Sequence, residues 1–279
     1  MKTQLLLLAT SAIALFGLTS CFQVENTITV KKDGSGTIVE ETIFGEQMQM
    51  MLQMAQAQAG AQGGKAPANP LDKMMDKAKA EARAKKMGEG VELVSIEKIN
   101  NDGKLGVRTT YKFADINKLN YSNAGALDMG DLPGAPAGAA KKVDDSGITF
   151  KLADGKLSII QKAPKAEDAA KDGAEVEGDA EKAVAPAIDP QQLVMMKGMM
   201  KDMRITMKVK IEPGIAKTNA SHVDGDTITL GDIKMDKLLE NPEKLKALQG
   251  GDFEKTKEAM KDVEGVKFEG QNVVEVEMK

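Results

Sequence analysis

Phe22-Gln23-Val24-Glu25-Asn26-Thr27-Ile28-Thr29-Val30 is followed by Lys31-Lys32-Asp33-Gly34-Ser35-Gly36 and then Thr37-Ile38-Val39-Glu40-Glu41-Thr42-Ile43-Phe44. In the first segment Phe22, Val24, Ile28 and Val30 share one parity, while Gln23, Glu25, Thr27 and Thr29 share the other. Alternation with period two is the pattern of a strand buried on one face. Asn26 is the single polar residue on the apolar parity. Lys32-Asp33-Gly34-Ser35-Gly36 supplies the glycines that a tight hairpin turn needs. The segment therefore predicts two antiparallel strands joined by a short turn.

The same pattern returns along the chain. Strands are predicted over 91–99 and 105–113 around Asn100-Asn101-Asp102-Gly103, and over 148–152 and 157–160 around Asp154-Gly155. Residues 204–212 alternate most cleanly, with Ile205, Met207, Val209 and Ile211 opposing Thr206, Lys208 and Lys210. Pro213-Gly214 turns that strand, a hairpin follows through 218–223 and 227–230, and Val266–Phe268 and Val273–Met278 close the chain. Helices interrupt this series. Met48, Met51, Leu52 and Ala55 recur at helical spacing over 46–60, and Pro70 opens a helix over 71–87 that Gly88 stops. A third helix starts at Asp189-Pro190, and two shorter ones fall near 234–248 and 252–262. The expected fold class is α+β: an antiparallel sheet of hairpins with Met-rich helical insertions. Residues 21–279 are expected to form one domain with a helical insertion at 45–88. Segments 123–142 and 163–188, made of Ala, Gly, Pro and charge, lack apolar content and are expected to be mobile.

Upstream of the first strand, Lys2 precedes the apolar run Leu5–Phe16, which ends in Leu18-Thr19-Ser20-Cys21. One basic residue ahead of a short apolar core has the form of a secretory signal peptide. The run is shorter than the roughly 20 residues of a membrane-spanning helix. Aliphatic, small, small, cysteine resembles the lipobox of bacterial lipoproteins. That resemblance implies a signal peptide over 1–20, cleavage between Ser20 and Cys21, and lipid on the Cys21 thiol. Sorting in two-membrane bacteria, by the same resemblance, points to the outer membrane, since residue 22 is Phe and not Asp. Cys21 is the only cysteine, so its acylation leaves the mature chain no disulfide, thiolate metal site or thiol nucleophile. The first strand follows Cys21 with no tether between them.

Cys21 with its following strand, Asp33-Gly34-Ser35-Gly36 and the second strand are similar to the LppM-type bacterial lipoprotein domain. So are strand 205–211, Pro213-Gly214, Thr218-Asn219-Ala220, Asp224-Gly225-Asp226 and Thr227–Leu230. The likeness covers about a quarter of the chain. Leu230 stands where such lipoproteins often carry an aromatic residue, usually Trp. The resemblance implies an envelope-facing antiparallel domain with an apolar or lipid-like ligand, and it transfers no catalytic residues.

Composition narrows the chemistry. The formal charge is −4, or −5 once Lys2 leaves with the signal, and the signs are interspersed. With seven Phe, two Tyr and no Trp, there is neither a basic patch nor a stacking platform for nucleic acid. The 18 methionines concentrate at 48–54 and 195–207. Thioethers suit Cu(I), and Met195, Met199 and Met203 would share one helical face; Met is equally a flexible filler of apolar surface. His222 is the only histidine, which argues against a catalytic triad or a zinc site. Asp224-Gly225-Asp226 lacks the ligand spacing of a calcium loop. Around 71–87, Lys73, Lys77, Lys79, Arg83, Lys85 and Lys86 could meet anionic headgroups while Met74, Met75 and Met87 dip inward. The reading that results is a non-enzymatic, membrane-anchored lipoprotein that needs no cofactor and binds a partner or ligand of unknown specificity, an envelope protein or a lipid-like molecule. A protein for apolar ligands and a Cu(I) handler are the alternatives.

Overall fold

The computed structural model describes residues 22–46, 49–50, 53–54, 70–101, 104–122, 147–161, 203–240 and 253–279. Ser20, Cys21, the two Ala/Gly/Pro-rich segments and the helix expected after Asp189 lie outside those residues.

The opening hairpin forms as its alternation requires. Strand β1 (Phe22–Val30) runs antiparallel to β2 (Gly36–Phe44), with Phe22 opposite Phe44 and Val30 opposite Gly36. Gly34 takes φ 82° in the turn, and the Asp33 carboxylate accepts from the Ser35 amide at 2.9 Å and its hydroxyl at 2.7 Å. That turn conformation is one that side chains other than glycine rarely adopt. Gly36 is required for a different reason. A Cβ there would lie 1.9 Å from the Thr29 carbonyl oxygen and 2.4 Å from the Phe113 ring.

Three further hairpins continue the chain: β3 (Val91–Asn101) with β4 (Lys104–Phe113), β6 (Ile148–Ala153) with β7 (Lys156–Gln161), and β10 (Val223–Asp224) with β11 (Thr227–Lys234). The remaining strands are β5 (Asn120–Tyr121), β8 (Met203–Ile211), β9 (Ile215–Thr218), β12 (Lys267–Phe268) and β13 (Val273–Met278). They assemble into two sheets. The larger follows the order β10-β11-β8-β1-β2-β4-β3, with β12 paired to β11; the smaller follows β5-β6-β7-β13-β9. β1 pairs β8 in parallel, Phe22 beside Met203 and Val30 beside Ile211, so the larger sheet is mixed.

This architecture corrects the α+β expectation: the described residues are predominantly β, in two sheets with few helices among them. The described helices are short: α1 (Pro70–Met74), α2 (Lys77–Met87), α3 (Met235–Leu239) and α4 (Phe253–Met260). The helix expected over 71–87 is broken at Asp76. Its carboxylate accepts from the Ala78 amide at 2.9 Å and the Lys79 amide at 3.2 Å, which makes it the N-cap of α2 and not an interior residue.

The inner face of the larger sheet carries two cores. Ile28, Val30, Ile38, Tyr111, Phe113, Met207, Val209 and Ile211 pack with Leu157, Ile159, Val274 and Val276 of the smaller sheet and with Ala80, Ala84 and Met87 of α2. At the other end Phe22, Val24, Phe44, Val107 and Met203 pack under Leu71, Met235, Leu238 and Met260 of the other three helices. Between the cores lie the buried polar residues Asn26, Thr42 and Thr109, beside the partly buried acid Glu40.

Candidate functional site

The end of the sheet that follows Cys21 is built first by β1. Phe22, the residue after Cys21, is 5% exposed and lies between Phe44 of β2 and Met203 of β8. The rings of Phe22 and Phe44 are 5.5 Å apart between centroids and tilted by 55°, a favourable edge-inclined contact. Immediately beyond Phe44 the backbone turns helical at Glu46, Gln49, Met50, Gln53 and Met54. The Gln49 amide donates to the Gly45 carbonyl at 3.1 Å and its side chain to the Phe44 carbonyl at 2.9 Å. Met50 and Met54 are 61% and 55% exposed. Of the residues at 46–60, only those five are described.

The second constellation is Glu40, at a core position of β2. Arg83 of α2 donates through Nε to both carboxylate oxygens, at 3.2 and 3.0 Å, and through a terminal nitrogen to one of them. The Tyr121 hydroxyl donates to the same carboxylate at 2.8 Å, and the Arg83 guanidinium stands 5.8 Å over the Tyr121 ring. Arg83 also donates to the Ser122 carbonyl at 3.3 Å. Burial, reinforced by the Glu40 charge, pushes the phenols of Tyr111 and Tyr121 well above the ordinary value of 10. A carboxylate taken up by a guanidinium and a phenol is a clasp: it binds α2 and β5 to the sheet. Removing one partner of such a buried pair typically costs about 3 kcal/mol or more. Sequence periodicity did not find this group, yet its signal was present. Glu40 sits on the same parity as Ile38 and Phe44, and a charge on an apolar face needs a partner.

Two buried acids are also structural. Asp232 of β11 holds Arg204 of β8 through both oxygens at 2.7 Å. Burial would raise its pKa, but the Arg204 hydrogen bonds and charge outweigh that and hold it below the ordinary 3.8. Glu269, fully buried, accepts from the Ser221 amide at 2.7 Å, the Ser221 hydroxyl at 2.9 Å and the Gln271 amide at 2.9 Å. It ties the loop that carries His222 to the approach of β13. His222 itself is half-buried between β9 and β10, where its carbonyl accepts from the Thr229 amide at 2.9 Å.

Of the proposed thioether ligands, Met195 and Met199 lie outside the described residues. Met203 is not helical. It begins β8, is 6% exposed, and packs in the core with Phe22 and Met235. The other buried methionines described divide between the cores: Met87 and Met207 fill one, Met235 and Met260 the other. In α2, Ala80, Ala84 and Met87 turn into the fold, while Met75, ahead of that helix, is 37% exposed. Among the described residues, no group of three or more His, Cys, Asp or Glu side chains is placed to hold a metal ion. No helix there is long and apolar enough to cross a membrane.

No family model and no curated protein matches the chain. Among solved structures it is similar to the NMR structure of the folded domain of LppM from Mycobacterium tuberculosis, at 10% identity and a TM-score of 0.29. That match covers 77% of this chain and 84% of the other, and a likeness so slight carries no argument.

Proposed function

We propose that the chain is an envelope lipoprotein, held on a bacterial membrane by lipid on Cys21, that acts by binding a partner and not by catalysis. One observation carries the reading: β1 begins at Phe22, the residue next to the lipobox cysteine. A lipid on Cys21 then sets the folded sheet directly on the headgroup region, with no spacer to let it wander. Burial of acyl methylenes, each worth about 0.8 kcal/mol, provides the attachment, and two or more chains make it durable.

The binding role is supported by how the fold uses its charged groups. Glu40, Asp232 and Glu269 are each engaged by partners within the chain, so their chemistry goes to structure. The outer face of the larger sheet instead presents half-exposed rows of ion pairs, Lys208 with Glu25 at 2.8 Å and Arg108 with Glu41 at 2.6 Å. Such a polar, regularly spaced face suits contact with another envelope protein. Phe22 directly after the cysteine favours the outer membrane where the cell has two. Fractionation tests the attachment: the native chain is expected to stay with the membranes through a carbonate wash, and a chain whose residues 1–21 are replaced by an ordinary cleavable secretory leader is expected with the aqueous exported proteins. A native chain that the wash releases would overturn the reading.

A further inference from the structure

We infer that α2 is a latch: it opens from the sheet as one unit while the strands stay closed, and the Glu40–Arg83 ion pair sets how often it does so. The helix has its own boundary at each end. Asp76 caps its first turn and separates it from α1, and Gly88, at φ 145°, separates it from β3. Little apolar surface holds it down between those points. Of its eleven residues only Ala80, Ala84 and Met87 are buried, and each alanine contributes a single methyl. Lys77, Lys79, Glu81, Lys85 and Lys86 are exposed. Isolated helices shorter than roughly 12 to 15 residues are marginal in water, so α2 loses its structure when it undocks.

The strands are held differently. β1, β2, β4 and β8 each pair on both sides, and Ile28, Ile38, Val209 and Ile211 on them are fully buried. Opening free energies within one protein run from near zero up to the global value, and an element with few buried apolar contacts stands at the low end. Arg83 supplies what the alanines do not. Its Nε donates to both Glu40 oxygens, at 3.2 and 3.0 Å, and the two side chains are only 17% and 11% exposed, so the pair is shielded from the water that weakens surface ion pairs. When the helix lifts, Arg83 and Glu40 exchange each other for water, while Glu40 keeps the Tyr121 hydroxyl at 2.8 Å. Opening uncovers Tyr111, Leu119 and Tyr121, which share one core with Ala80, Ala84 and Met87. The latch therefore gates an apolar surface that the closed fold hides.

Hydrogen exchange read by mass spectrometry on the full-length chain in detergent tests the latch, and the readout does not depend on whether Cys21 is acylated. In the native chain the amides of 81–87 are expected to exchange as one block, about a hundredfold faster than those of β1 and β8. Glu40→Gln leaves the Arg83 charge without its counter-ion. It is expected to speed that block about tenfold further while β1 and β8 keep their rates. Native exchange of 81–87 at the pace of β1 and β8 overturns the latch, since α2 then opens only with the whole fold. Rates that differ residue by residue, fastest at the two ends of the helix, also overturn it, because they report fraying and not a unit. If Glu40→Gln speeds β1 and β8 as much as α2, the ion pair holds the entire fold and its assignment to the latch is wrong.

Discussion

Phe22 and Phe44 close the sheet at the end where Cys21 enters, their ring centroids 5.5 Å apart. Phe22 is a core residue and the immediate sequence neighbour of Cys21, so under the proposed anchor, attachment and folding would share one stretch of backbone.

Truncating Phe22 should therefore harm stability before it harms anchoring. Phe22→Ala removes a ring that is 5% exposed between Phe44 and Met203. A loss of about 3 kcal/mol is expected in urea denaturation, in line with buried Phe→Ala changes. Acylation should persist, because Cys21 and the residues before it are unchanged.

The clasp around Glu40 makes a spectroscopic prediction. Tyr111 and Tyr121 are the only tyrosines, and burial holds both phenols protonated beyond the ordinary pKa of 10. No tyrosinate absorbance should appear as pH passes 10, until it appears together with loss of the fold. A raised folded pKa is linked to stability that is intact below pH 10 and declines above it, where the unfolded chain alone releases its protons. Tyrosinate rising smoothly near pH 10 in a folded chain would contradict the burial of both rings.

At the acid end the sign reverses. Arg204 holds Asp232 below 3.8, so their pairing supports the fold above that value and is lost as pH falls through the lower folded value. Asp232→Asn should be less stable than the native chain at neutral pH. That difference should shrink steadily below about pH 4, as measured by denaturation midpoints across pH. A gap that stays constant into acid would assign the effect to packing and not to charge.

Local pattern made the hairpins legible. Phe22–Val30 and Met203–Ile211 declare their buried faces by parity, and Asp33-Gly34 declares its turn. Asp76 was legible in principle, since an aspartate ahead of a Lys/Ala run is a cap signal, but the long run of helix formers masked it. Assembly was not legible. β1 and β8 pair in parallel across 181 residues of chain, from Phe22 to Met203, and alternation says nothing about which strand a strand will choose. The division into two sheets depends on such distant choices, as β13 shows by joining β7 and β9. Glu40 likewise finds Arg83 43 residues away and Tyr121 81 residues away, beyond any helical or strand period.

The central claim is that Cys21 carries the lipid and that the fold begins at the next residue. Intact-mass spectrometry of the chain extracted gently from its own membranes tests both halves. The account predicts a chain that starts at residue 21 and is heavier than its sequence by diacylglycerol, alone or with a further acyl group. A chain that still begins at Met1, or one that begins near residue 21 without acylation, would contradict it.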